Sequence, residues 1–163
     1  MAILVSDTSV LIDLERGELL EHAFSCGLVM AVPDLLYQNE LENENGPYLR
    51  TLGLIILTLT PDETTLAQSI KNKRPTLSVP DCFALSCALR QEHILLTGDG
   101  NLRKEAISQK AQVYGLLWLL EQMAASGKFS FSLLHEGLSK ISAHKRCWLP
   151  KDEVNRLLEK WAR

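Results

Sequence analysis

Short apolar runs alternate along the chain with amphipathic stretches. Ile3-Leu4-Val5 is wholly apolar, and Thr8 to Glu15 follows with Val10, Leu11 and Leu14 at helical spacing. Gly17 predicts a break and Glu18 to Ser25 a second short helix. Leu28 to Val32 reads as another strand. Pro33 suits the first turn of a helix reaching about Asn45, and Asn45-Gly46-Pro47 punctuates. Leu54 to Leu59 reads as a third, buried strand. Thr60-Pro61-Asp62-Glu63 has the form of a capping box and starts a helix that fades near Lys73-Arg74-Pro75. Ser78-Val79-Pro80-Asp81 begins a largely buried helix. His93 to Thr97 is a fourth strand, Asn101 to Gln109 a helix, Ala111 to Tyr114 a fifth strand, and Leu116 to Ala125 a core helix. Two further helices, about 131–143 and 151–162, flank Leu149-Pro150.

Strands that are apolar throughout and alternate with helices predict a three-layer α/β/α domain whose five-stranded, mostly parallel sheet is covered on both faces. The length of 163 residues suits one such domain, expected over residues 1–126, with a helical extension over 127–163 packed on it. Aromatic residues are only 6%, so the core must be mostly Leu, Ile, Val and Ala. No apolar run approaches the roughly 18–20 residues that cross a bilayer, and the opening MAILVSD lacks the basic start of a signal peptide. Cys26, Cys82, Cys87 and Cys147 show neither CxxC nor zinc spacing. A cytoplasmic protein with free thiols and no membrane segment is expected. The net charge of −3 hides an asymmetry: residues 128–163 carry eight Lys/Arg against four acids, which leaves −7 on the remainder. A basic tail on an acidic body either steers a polyanion or is a solvated helix pair.

The chemistry lies where four carboxylates fall. In an open α/β sheet, ligands bind beyond the carboxyl ends of the strands, near the point where strand order reverses. Asp7 stands just past the first strand and Asp99 just past the fourth, within Thr97-Gly98-Asp99-Gly100. Asp81 opens the helix leading into that fourth strand, and Glu40 is about two turns into the helix after the second. If strands one and four are neighbours, these acids converge on one edge. Carboxylates so gathered repel unless protonated or neutralised, and oxygen ligands suit Mg²⁺ or Mn²⁺. The four histidines do not pair at metal spacing, and neither GxSxG nor a Walker A sequence occurs.

Val5-Ser6-Asp7-Thr8-Ser9-Val10-Leu11-Ile12-Asp13-Leu14, Val32-Pro33-Asp34-Leu35-Leu36-Tyr37 leading to Glu40-Leu41, Val79-Pro80-Asp81 and Leu95-Leu96-Thr97-Gly98-Asp99 together resemble the PIN-domain family over about residues 2–125. The resemblance implies a PIN-like fold and a metal-dependent endoribonuclease, most often the toxin half of a toxin–antitoxin pair of the VapC type. By the same resemblance Asp7, Glu40, Asp81 and Asp99 form the acidic cluster. Asp7 and Asp99 would be the principal ligands to Mg²⁺ or Mn²⁺, with Asp81 completing the site and Glu40 ligating or orienting the attacking water. Ser9 and Thr97 match polar positions that flank the acids. The implied partners are an RNA substrate and a cognate antitoxin, with a homodimer expected by analogy.

Taken singly, each residue also has a plainer reading. Asp7, Asp81 and Asp99 suit turns or helix caps, and Glu40 a helix surface. Ser9 positions a water or caps a helix, and Thr97 bonds a carboxylate or simply suits a strand. Asp13 reads as helix surface, Trp118 as core, and Trp148 and Trp161 as packing or partner contacts. Lys71, Lys73, Arg74, Arg103 and Lys104 are the nearest basic candidates for RNA phosphates. Two alternatives stay open: an inactive scaffold acting as a protein- or RNA-binding module, and another Mg²⁺ enzyme such as a phosphatase. Against the latter, no DxDxT-like sequence follows strand one.

Overall fold

A computed structural model describes residues 2–162; Met1 and Arg163, the outer ends of the two expected segments, lie outside the described residues. Five parallel strands, β1 (Ile3–Ser6), β2 (Val29–Pro33), β3 (Ile55–Leu57), β4 (His93–Leu96) and β5 (Val113–Tyr114), form one sheet in the order β3-β2-β1-β4-β5. The chain moves outward from β1 to one edge, then returns to β1's other side with β4. The switch point therefore lies between β1 and β4, where Val5 faces Leu95 and Ser6 faces Leu96.

The helices are α1 (Thr8–Arg16), α2 (Leu20–Ser25), α3 (Asp34–Leu36, continued by a π-helical turn, Tyr37–Leu41), α4 (Gly46–Leu52), α5 (Pro61–Lys73), α6 (Val79–Ala88), α7 (Gly100–Ser108), α8 (Leu116–Ala125), α9 (Phe131–Ala143) and α10 (Lys151–Trp161). Strand side chains alternate between faces. Leu4, Met30, Val32 and Leu96 bury into a core with α1, α2, α8, α9 and α10, whereas Val5 and Leu95 bury against α5, α6 and α7. Both faces being covered explains why the central strands are apolar through Ile3–Val5, Val29–Val32 and Ile94–Leu96.

Thr60 accepts from the Glu63 amide and Glu63 returns the bond to the Thr60 amide, so the capping box is present as expected. Three boundaries differ from the pattern. Pro33 is the last residue of β2 and caps the helix it was expected to begin. The expected helix to Asn45 stops at Leu41, and Gly46–Leu52 is a helix of its own with Pro47 in its first turn. The third strand shrinks to three residues at the sheet edge, where Ile55 is exposed, so it is not buried.

The tail is built into the first face. Leu134, Leu138, Ile141, Val154, Leu157 and Trp161 are buried in the same core as α1 and α8. A Cβ on Gly137 would stand 2.4 Å from the Leu19 side chain, and one on Gly17 would stand 2.7 Å from that of Ile141. Only two glycines let α9 approach the end of α1 so closely.

Candidate active site

The β1–β4 pairing carries Asp7 and Thr97 to adjacent strand ends, with the Asp7 amide donating to the Leu96 carbonyl at 3.0 Å. Asp7 is 4% exposed. Its Oδ1 accepts from the Ser9 hydroxyl (2.8 Å) and from the Val10 amide (3.1 Å), which caps α1; its Oδ2 accepts from the Thr97 hydroxyl at 2.5 Å. Thr97, fully buried, also accepts from the Asp99 amide at 3.0 Å, so one hydroxyl ties the two strand-end acids together. The Asp99 side chain is exposed and caps α7, its Oδ1 accepting from the amides of Asn101 (2.8 Å) and Leu102 (3.1 Å). The plain reading of both aspartates holds, since each caps a helix, and each also stands at the switch point where the functional reading places it.

Asp81 is not a cap. Ser78 fills that role, accepting from the Asp81 amide at 3.1 Å, and this leaves the half-buried Asp81 carboxylate in the first turn of α6. Glu40 lies on the π-helical turn, closed by the Glu42 amide donating to the Tyr37 carbonyl at 2.8 Å. That wider turn, a form frequent at functional sites, re-aims its side chain relative to an α-helix.

The electrostatics centre on Asp81, which feels the other three acids. Burial, then Asp7, Glu40 and Asp99, push the Asp81 carboxyl up to about 6, although Ser78 opposes the shift. Burial and then Asp7 raise Glu40, which the Thr8 hydroxyl partly offsets. Burial raises Asp7 in spite of its hydrogen bonds from Thr97, Ser9 and the backbone. Among the described residues, no Lys, Arg or His forms an ion pair with any of the four. Asp13, expected on the helix surface, is a fifth acid at the margin: half-buried, raised by burial and by Asp7, and paired with Arg16 at 3.6 Å.

As they stand, no three Asp, Glu, His or Cys side chains among the described residues are close enough to share one ion. Asp7 is held by three donors and Asp99 by its cap, while like charge spreads the others. The donor set nevertheless fits a hard divalent cation: all oxygens, and an excess of negative charge with no ion pair to the four acids among the described residues.

The basic residues divide. Lys71 donates to the carbonyls of Pro75 (2.7 Å) and Leu77 (2.6 Å). Lys73 and Arg74 meet the buried Glu105 carboxylate at 3.4 and 2.6 Å. These three are committed to the fold itself. Arg103 lines a cleft beside Thr97 and Gly98, and Lys104 is exposed on α7. Trp161 is buried as packing, but Trp148 is 87% exposed, and Trp118 stacks on Tyr114 in the cleft wall instead of entering the core.

A family model described as a PIN domain matches residues 3–163. No curated protein and no solved structure matches the chain significantly.

Proposed function

Because the chain belongs to the PIN-domain family, a nuclease-type fold, we propose that it is an Mg²⁺- or Mn²⁺-dependent endoribonuclease, acting as the toxin of a toxin–antitoxin pair. The observation that carries this reading is the set of carboxylates from four separate elements that gather around Asp81, three of them acting on its charge, with no ion pair to any of the four among the described residues. Asp7, Asp81 and Asp99 would hold the metal, which when bound supplies positive charge to a phosphodiester under attack and activates water. Thr97 and Ser9 fix both oxygens of Asp7, so its orientation is set before substrate arrives. The same Thr97 fixes the start of the Asp99 loop. Glu40, its pKa raised by burial and reachable from solvent, orients the attacking water and takes its proton.

The test is cleavage of RNA by the purified protein in Mg²⁺, in Mn²⁺ and in EDTA, beside Asp7→Asn and Asp99→Asn. Cutting that needs the cation and is lost in both variants is expected. RNA left intact by the wild type in either cation, or cut equally by Asp7→Asn, overturns the assignment. The toxin role predicts that expression halts growth, that Asp99→Asn relieves the arrest, and that co-expression of a cognate antitoxin does the same. A homodimer in solution is part of the same proposal.

A further inference from the structure

Next to the acids runs a cleft of about 460 Å³, with walls from two distant parts of the chain. One wall is Thr97, Gly98, Arg103 and the stacked Tyr114–Trp118 pair, whose rings lie 4.4 Å apart and 12° from parallel. The other is the segment between α9 and α10, which brings Trp148 and Leu149 opposite. A second hollow of about 390 Å³ shares Asp13, Gly98, Trp148 and Leu149 with the first and adds Ser9, Asp99 and Arg146. The two form one groove that reaches Asp99 and Ser9 at the switch point.

The charges in this groove are sorted. Its acids outside the cluster are neutralised: Asp13 by Arg16 at 3.6 Å, and Glu153 by Arg156 at 3.1 Å. Arg103 and Arg146 have no side-chain hydrogen bond or ion pair among the described residues. The groove thus offers two uncommitted guanidinium groups and an indole with 87% of its surface in solvent, a combination that fits a flexible polyanion with flat faces.

We propose that the groove between Trp148 and the Tyr114–Trp118 pair is the seat of a single RNA strand, with a base stacked on Trp148 and Arg103 and Arg146 on the phosphates flanking the bond to be cut. This inference rests on the nuclease reading and gives its substrate a single-stranded form. A duplex would keep its bases stacked on each other and leave the indole unused. The tail is on this view part of the substrate site, to which it contributes Trp148 and Arg146.

The probe is a short fluorescein-labelled single-stranded RNA of mixed sequence, followed by anisotropy against salt and by cleavage in Mn²⁺. Trp148→Ala is expected to weaken binding about tenfold, the loss of one stacked base, with the effect falling on KM; Trp148→Phe keeps most of it. Because the indole is exposed, neither change disturbs the core. Arg146→Ala and Arg103→Ala should each lower the slope of log K against log salt by about 0.7, one phosphate contact on a single strand. An unaltered affinity and KM in Trp148→Ala overturn the inference while the nuclease reading stands, as they would if the groove seats a protein segment. Trp148-dependent binding without cleavage supports the groove and overturns the nuclease. A wild type that neither binds nor cuts RNA overturns both.

Discussion

Two carboxylates are buried among the described residues, and the fold treats them in opposite ways. Glu105 on α7 is fully buried, and although burial alone would raise its pKa, Arg74 at 2.6 Å, Gln109 at 2.8 Å and Lys73 hold it below the usual range. Asp7, almost as deeply buried, is given only hydroxyls and amides and no cation among the described residues, so burial wins and its pKa rises. A buried charge needs a partner. Glu105 has its partners in the chain, whereas the switch-point acids have no ion pair among the described residues. The contrast separates an acid paired across the end of α5 and α7 from acids left without a cation, as the proposed metal site requires.

The sharpest way to break that contrast is to neutralise Asp7. Asp7→Asn should lower RNA cleavage by roughly 10³-fold or more, about 4 kcal/mol of transition-state stabilisation, while far-ultraviolet circular dichroism stays that of the wild type. Smaller in energy is the effect of the cation on stability. Mg²⁺ or Mn²⁺ at about a hundred times its Kd should stabilise the wild type by about 2.7 kcal/mol, read as a rise in Tm that EDTA reverses. Asp7→Asn and Asp99→Asn should lose this rise, and Glu105→Gln should keep it. An equal rise in all four proteins would show that the ions bind elsewhere.

Glu105→Gln tests the other side. Removing its charge leaves Arg74 facing a buried amide, and the expected loss is about 2 kcal/mol, reduced from a fully buried pair because Arg74 and Lys73 are partly solvated. It is measured by urea unfolding at neutral pH. The sign is set by the depressed pKa: the pair stabilises above the ordinary glutamate range and is lost as pH falls through the lowered value. The variant and wild type should therefore converge on acidification.

The strand-end acids were legible because apolar runs mark the strands and the residue just past each run is the one that reaches the ligand edge. Asp7 and Asp99 follow from that rule, given that β1 and β4 are neighbours, which no local pattern states. Glu40 was legible as an acid in the right helix but not as a residue on a π-turn, since periodicity assumes 3.6 residues per turn. The helix Gly46–Leu52 was hidden because Asn45-Gly46-Pro47 reads equally as a turn and as a start with proline in its first turn. Long-range arrangements left no local signal. Nothing in the sequence near Glu105 points to Arg74, and nothing near Trp148 or Trp118 shows that a tail loop and β5 face each other across a cleft. The same holds for Lys71, Lys73 and Arg74, whose charges look free in sequence and are held by carbonyls and a carboxylate in the fold.

The smallest effect is the most direct measure of how the acids press on one another. Asp81 has an ordinary value of 3.8 and stands near 6 in the folded chain, through burial first and then through Asp7, Glu40 and Asp99. A carboxyl with a raised folded pKa binds its proton more tightly in the native state, so its contribution is fully present below 3.8 and is lost as pH rises through about 6. In metal-free buffer the wild type should thus lose stability between those limits. Asp81→Asn, which cannot ionise, should be the more stable protein at pH 7 by about 1 kcal/mol, the shift being discounted for a half-solvated group, and its advantage should vanish below about pH 4. Adding Mn²⁺ should reverse the order at pH 7, because a cation favours the ionised carboxylate and stabilises only the protein that has one. Thermal melts of both proteins across this pH range, with and without Mn²⁺, make the comparison. An Asp81→Asn protein that follows the wild type at every pH would mean that this carboxylate feels neither its neighbours nor the ion.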